Sequence, residues 1–388
     1  MIDSDIVVDT DLLDGRDGLG GTGLKVTVSR EELAQRLAVV ARGVSTRTAV
    51  LVLGGIRLHA EAGRLHLAAT DMELSLRASL GAAVDGEGET VVPGRLLLDI
   101  ARSLPGEEVT IEHRATEAVL TVTAGSANYR LHTYSAEDFP RLPDTETTPL
   151  HAIERDALIE TVARVGRSAS RDESRPVLTG ILVRFEPGKV VMAATDSYRL
   201  AVKETVVGGP LPELEAIIPA RALQELTRIA AAADEVQLGL QENHVVFGAD
   251  GTWLTTRRID GQFPNYRQLL PEQFEYELQL SRDELLNVVR RVSLMAQRNS
   301  PLRLRFDEGE LTVSAITQDV GEARESLPVA YTADTMEIGF NAEFLRDGLE
   351  SLDSETVTLK LISPLRPAVL EGEAGDYTYL IMPIRLAG

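Results

Sequence analysis

Apolar and polar residues alternate strictly over Leu24–Val28 (Leu-Lys-Val-Thr-Val), the two-residue period of a strand with one buried face. The period then changes. Leu33, Leu37, Val40 and Val44 recur at helical spacing behind Ser29 and Glu32, a pair placed as a capping box that opens a helix; Ser281 and Glu284 repeat it. The strands that follow are punctuated by turn signals at Ala62-Gly63, Asp85-Gly86, Pro187-Gly188 and Glu308-Gly309. Second helices are predicted after Pro93, Pro219 and Asn341, the first of them presenting Leu96, Leu97, Ile100 and Leu104 on one side.

This pattern occurs three times. The helix opening Arg30-Glu-Glu-Leu33 returns as Arg155-Asp-Ala-Leu158 and as Arg282-Asp-Glu-Leu285, spacings of 125 and 127 residues. Thr70-Asp71 returns as Thr195-Asp196 after 125 residues, Pro93 as Pro219 after 126, and Phe139-Pro140 as Phe263-Pro264 after 124. A period this long is too large for a solenoid unit, so each repeat is expected to be a domain with its own core. The fold class predicted is α+β: three similar domains, each with two helices packed on antiparallel sheets. The expected boundaries are a flexible acidic extension at 1–23, then domains at 24–147, 148–271 and 272–388. The two halves of each domain share the order strand, helix, strands, which extrapolates to six such units in the chain.

Composition narrows the function. The 388 residues are 44% hydrophobic and 26% charged, as expected of a globular protein, and include no cysteine, which removes thiolate chemistry and disulfides and fits the reducing cytoplasm. No run of about 18 apolar residues is present, so no membrane partner is expected. The net charge of −21 argues against nucleic acid, because phosphate binding normally relies on Lys and Arg. The arrangement of the basic residues opposes that. Arg30, Arg36, Arg42, Arg155, Arg164, Arg167, Arg282, Arg290 and Arg291 lie on the first helices, and Arg95, Arg102, Arg221, Arg228 and Arg346 on the second. Such charges are either ordinary solvated helix faces or, if all the helices share one side, a basic surface on an acidic protein. Residues 1–23 carry six Asp against Arg16, with Gly18, Gly20, Gly21 and Gly23 toward their end, the composition of a solvated tail.

In combination, the repeated Arg-x-x-Leu helix, the block Ala194-Thr195-Asp196-Ser197-Tyr198-Arg199-Leu200-Ala201, the segment Asp260-Gly-Gln-Phe263-Pro264-Asn-Tyr266 and the C-terminal Met382-Pro383-Ile384-Arg385-Leu386 resemble the bacterial DNA polymerase III beta subunit family over about Leu24–Leu386. The resemblance implies a head-to-tail homodimer of three-domain chains. Its helices line a ring around double-stranded DNA, bound without regard to sequence, and it acts as a processivity factor of the replicative polymerase. It also implies a pocket between the second and third domains for short linear motifs of the polymerase III alpha subunit, the clamp loader, other polymerases and repair proteins. Carried over by position, that pocket comprises Leu178, Thr195, Tyr198, Arg199, Leu200, Pro264, Leu269, Leu380, Met382 and Ile384, with Asn341, Phe344 and Arg366 nearby. Tyr198 and Arg199 are expected to form its polar rim. This sequence departs from the family at Tyr198, where His is common, at Gln268, where Arg is common, and at Ile384, where Met is common. The DNA-facing positions implied are Arg47, Arg171, Arg175 and Arg221, and the dimer contacts lie near Tyr129 and Leu294.

No catalytic residue, metal site or cofactor is expected. The Thr-Asp pair invites comparison with an Asp-dependent hydrolase, but its third copy has decayed to Thr317-Gln318-Asp319, which suits a turn whose side chains bond their own backbone. The six histidines have no zinc-ligand spacing, and no phosphate-binding Gly-x-x-x-x-Gly-Lys loop is present. Besides the replicative reading, a clamp relative outside replication and a protein-binding scaffold that ignores DNA are compatible with these residues.

Overall fold

The structure is a computed structural model and describes residues 23–45, 49–143, 145, 148–209, 215–296, 300–317 and 320–386. The proposed extension, apart from Gly23, and Arg47 lie outside the described residues. These residues form two compact units, one within Met1–Leu142 with Gly251–Trp253, the other within Pro143–Asp250 and Leu254–Gly388.

The first domain runs β1 (Lys25–Ser29), α1 (Arg30–Val40), β2 (Gly55–Glu61), β3 (Arg64–Thr70), β4 (Leu74–Gly81), β5 (Ala83–Gly86), β6 (Gly88–Pro93), α2 (Gly94–Ser103), β7 (Glu108–Arg114), β8 (Val119–Ala124) and β9 (Ala127–His132). Two antiparallel sheets result, with strand orders β5-β1-β7-β8-β9 and β4-β3-β2-β6. Leu33, Leu37 and Val40 of α1 and Leu97, Ile100 and Ala101 of α2 share one core with Val26, Ile111 and Leu120 of one sheet and Leu58 and Leu67 of the other. Removing one such Leu side chain costs about 2–5 kcal/mol.

The second domain repeats the plan with β10 (Leu150–Glu154), α3 (Arg155–Val165), a one-turn α4 (Pro176–Thr179), β11 (Gly180–Glu186), β12 (Lys189–Thr195), β13 (Arg199–Val206), β14 (Glu215–Pro219), α5 (Ala220–Ile229), β15 (Glu235–Leu240), β16 (His244–Ala249) and β17 (Thr252–Arg257). The third continues with β18 (Tyr276–Ser281), α6 (Arg282–Val292), β19 (Leu302–Asp307), β20 (Glu310–Thr317), β21 (Gly321–Pro328), β22 (Met336–Phe340), α7 (Ala342–Glu350), β23 (Thr356–Leu361), β24 (Ala368–Glu371) and β25 (Tyr377–Ile381). These two domains share an eight-stranded sheet, β14-β11-β12-β13-β25-β24-β23-β18, joined where Leu200 of β13 pairs with Leu380 of β25. The third domain's other sheet has the order β21-β20-β19-β22.

The helix starts follow the sequence signals. Ser29 Oγ accepts from Glu32 N and Ser281 Oγ from Glu284 N, both at 3.4 Å, and Asn341 Oδ1 accepts from Glu343 N and Phe344 N. Two expectations need correction. Leu96 is exposed, because consecutive helical residues point about 100° apart and Leu97 occupies the core side. Asp85-Gly86 ends β5 rather than forming a turn: Gly86 pairs with Lys25, where a Cβ would meet Gly23 O at 2.5 Å.

The repeated Arg has a structural task in all three domains. The Nε of Arg30 donates to Gly106 O, that of Arg155 to Ala233 O and that of Arg282 to Ser354 O. Their backbone amides bond the neighbouring carbonyls of Glu107, Asp234 and Glu355. The start of the first helix is thereby braced to the chain that leaves the second, a few residues beyond its end.

Candidate functional site

The Thr-Asp pairs form turns. Thr195 Oγ1 donates to Arg199 O at 2.6 Å and accepts from Ser197 N at 3.1 Å, while Asp196 Oδ1 accepts from Tyr198 N at 2.9 Å and Arg199 N at 3.0 Å. Ser197 takes a left-handed φ of 80°. Both side chains are therefore engaged with local backbone, as a turn requires. The turn lifts Tyr198 out to 61% exposure, and Tyr198 O accepts from Met382 N at 2.9 Å, so the loop after β12 meets the end of β25.

Around this contact the structure gathers most of the carried-over residues. Leu200 and Leu380 pack in one cluster with Leu182, Ile217 and Tyr266, against which Val177, Phe263 and Leu270 also lie. Leu178 sits in the turn of α4, where its amide donates to Arg175 O; Arg175 Nη1 in turn donates to Ser197 Oγ at 3.1 Å. Tyr198, Leu269, Met382 and Pro264 are exposed, and Leu178 is half-buried. Exposed apolar atoms beside a rigid turn are the surface an apolar peptide anchor requires. Ile384 is half-buried and donates its amide to Gly339 O, closing the β22 edge. Arg366 is exposed in the turn two residues before Ala368, which pairs with Ile381.

Five carried-over residues do not present themselves to a ligand. Thr195, Leu200 and Leu380 are buried, Leu200 at 1% exposure, and Asn341 uses its side chain to cap α7. Arg199 corrects the expectation of a polar rim. It is buried, its guanidinium lying 4.3 Å from the Phe344 ring centroid and donating to Asp196 Oδ2 at 3.0 Å, Asp347 Oδ2 at 2.6 Å and Arg167 O at 2.6 Å. Burial pushes this guanidinium toward losing its proton; Tyr379, Asp347 and Asp196 oppose that and hold it above its usual range. Burial likewise raises the hydroxyls of Tyr377 and Tyr379 far above neutrality; Tyr379 donates to Phe344 O.

Asp347 and Tyr266 were missed by the sequence reading. The available signal for Asp347 was its spacing of three residues from Phe344, which puts both on one side of α7. A cavity of about 370 Å³ also lies beside this region, lined by Leu182, Arg184, Ile217, Phe263, Pro264 and Tyr266 among others; it shares only Pro264 with the carried-over set.

The basic helix faces are more neutral than the sequence suggests. Arg164 pairs with Glu160 and Asp353, Arg167 and Arg290 with Glu350, Arg291 with Glu325, and Arg228 with Glu225. Among the proposed DNA positions, Arg171, Arg175 and Arg221 are exposed on the second domain; Arg175 is joined to Asp172, whose carboxyl Ser174 and Arg175 hold below its usual value. Tyr129 lies exposed on β9 and Leu294, 82% exposed, just after α6. Among the described residues, β9 and β21 each end a sheet with a partner on one side only. No group of three or more His, Asp or Glu among them could hold a metal ion, and no helix among them is long and apolar enough to cross a membrane.

Three family models cover the chain: the N-terminal domain of the DNA polymerase III beta subunit matches residues 24–143, its central domain 152–265 and its C-terminal domain 267–385. The chain belongs to the DNA polymerase III beta subunit family. The beta sliding clamp of Streptomyces coelicolor is 36% identical over 383 residues, covering 94% of this chain and 100% of its own. That of Synechococcus elongatus is 34% identical with the same coverage. Among solved structures, the Caulobacter crescentus beta sliding clamp with bound polyethylene glycol superposes with a TM-score of 0.89 at 27% identity, covering 94% of this chain and 100% of that one. A Pseudomonas aeruginosa sliding clamp bound to griselimycin gives 0.86 at 29% identity, with the same coverage. As a sliding clamp, the chain serves DNA replication as a processivity factor and binds partner proteins.

Proposed function

We propose that two copies close head to tail into a ring around duplex DNA, with six domains, boundaries near 147/148 and 271/272 in each chain, and no catalysis of their own. The observation that carries this reading is the pair of unpartnered sheet edges, β9 with Tyr129 in the first domain and β21 with Leu294 nearby in the third. The two edges differ, so their pairing is heterologous, and closure after two copies leaves neither of them free. The strands β10 and β18, opening the second and third repeats at Leu150 and Tyr276, support the boundaries.

DNA contacts then need only phosphates, made by Arg47, Arg171, Arg175 and Arg221 around a topological link. Tyr198, Leu269, Met382, Pro264 and Leu178 form the landing surface for short motifs of the replicative polymerase's alpha subunit, the clamp loader and repair proteins. Thr195, Arg199, Leu200, Phe344, Asn341 and Leu380 support it from below, with Ile384 and Arg366 at its margin. Tyr198 in place of the family's His adds apolar area at its centre.

Loading onto nicked circular DNA by the cognate clamp loader, followed by a high-salt wash, tests the reading. Retention on the circle and release on linearisation are expected, together with a solution mass twice 42.2 kDa. A stable monomer, or no retention, would overturn it, and the second result would leave a protein-binding scaffold. Arg171→Glu with Arg175→Glu and Arg221→Glu should weaken DNA contact most at low salt. Met382→Glu should abolish binding of a polymerase-derived peptide without changing the mass.

A further inference from the structure

We infer that Arg199 acts as a positioning residue that ties the peptide-binding surface to helix α7 of the third domain, so that the state of the joint between the second and third domains sets the affinity of that surface. The inference rests on the reading of this surface as the peptide site.

The geometry assigns every guanidinium nitrogen. Nε goes to Asp196, Nη1 to Asp347 and Nη2 to the Arg167 carbonyl. Asp196 is the carboxylate that fixes the backbone of Tyr198 and Arg199. Asp347 and Phe344 belong to α7. A chain of direct contacts thus runs from the exposed Tyr198 through Asp196 and Arg199 to α7, while Tyr198 O holds Met382 N on the other side. Asp347 is not in the surface itself.

The joint is reinforced beside this chain. Arg167 reaches Glu350 and Asp347, Arg290 shares Glu350, Arg164 reaches Asp353, Tyr377 OH donates to Arg164 O, and Lys203 pairs with Asp376. A buried guanidinium with three fixed acceptors has one low-energy arrangement, because any shift of α7 leaves a buried charge without its partner. Shifting the joint therefore displaces the Tyr198 turn, and a peptide that holds the turn holds the joint by reciprocity.

The test is a double-mutant cycle on the full-length dimer, probed with a fluorescent peptide carrying the short linear motif of the replicative polymerase alpha subunit. Wild type, Arg199→Lys, Asp347→Asn and the double variant are compared. Asp347→Asn should weaken peptide binding about tenfold although it lies outside the surface, and the double variant should weaken it by much less than the product of the single effects. Amide exchange of Tyr198 and Arg199 should speed up in Asp347→Asn while that of Glu73 and Leu74, the matching turn of the first domain, stays unchanged. Asp347→Glu, which keeps the charge, should restore most of the affinity, and it also serves if Asp347→Asn does not fold. Wild-type affinity and exchange in folded Asp347→Asn, or strictly multiplicative effects, would overturn the inference. No peptide binding by the wild type, with unchanged coupling in the exchange data, would instead sink the peptide-site reading alone.

Discussion

Residues Thr70–Leu74 of the first domain and Thr195–Arg199 of the second make the same hydrogen bonds, residue for residue. Thr70 Oγ1 donates to Leu74 O and accepts from Met72 N; Asp71 Oδ1 accepts from Glu73 N and Leu74 N. Met72 has a φ of 79°, and Ser197 one of 80°. The turns differ in the side chain that ends them. In the first domain it is Leu74, buried and apolar; in the second it is Arg199, equally buried but tied to two carboxylates and a carbonyl. The backbone device is inherited by both repeats. Arg in place of Leu at the end of the turn joins the second copy to α7 of the next domain.

Making the second turn like the first should have the largest effect. Arg199→Leu leaves Asp196 without its cation and Asp347 with only the more distant Arg167 in a largely buried site, and should destabilise the second and third domains by about 3–5 kcal/mol in denaturant unfolding. The first domain, followed by amide exchange, should be unaffected.

Thr70→Val and Thr195→Val sharpen the comparison from the side on which the turns agree. Each removes a buried hydroxyl that both donates and accepts, and each should cost about 1–3 kcal/mol. Thr70 Oγ1 also accepts from Ser75 Oγ at 2.9 Å, so in chemical denaturation its loss should equal or exceed that of Thr195; a loss at Thr195 larger by more than about 0.5 kcal/mol would show that the joint draws on it as well.

The smallest effect concerns acid. Burial raises the Glu350 carboxyl, but Arg290 and Arg167 outweigh this and hold it below its ordinary 4.5. A depressed carboxylate contributes stability above its unfolded value that is lost as pH falls through the folded one. Amide exchange of α7 should therefore accelerate below about pH 4.5, and Glu350→Gln should flatten that response. The first domain's α2 serves as the reference.

Much of the fold was legible in the sequence because its signals are local. Strand alternation, the Ser and Asn caps, the helix stripe of Leu33, Leu37 and Val40, and the Thr-Asp turn all depend on neighbours within a few residues. The 125-residue period extended one reading to three domains. The candidate surface was legible only in part. Tyr198, Leu269 and Met382 are exposed as a binding surface needs, whereas Leu200 and Arg199 are not. Sequence adjacency could not reveal this, since successive strand residues point to opposite faces and burial depends on what covers each face.

The sequence by itself determined the repeat, the α+β class and the helix starts, each read from short stretches of chain. The tertiary structure alone decided the partners of the arginines. A guanidinium on or beside a helix looks the same in the sequence whether it will brace a carbonyl, as Arg30, Arg155 and Arg282 do, neutralise a carboxylate, as Arg167 does, or face a DNA phosphate. Long side chains choose among acceptors brought close from far along the chain, and for Arg199 the deciding one, Asp347, is 148 residues away.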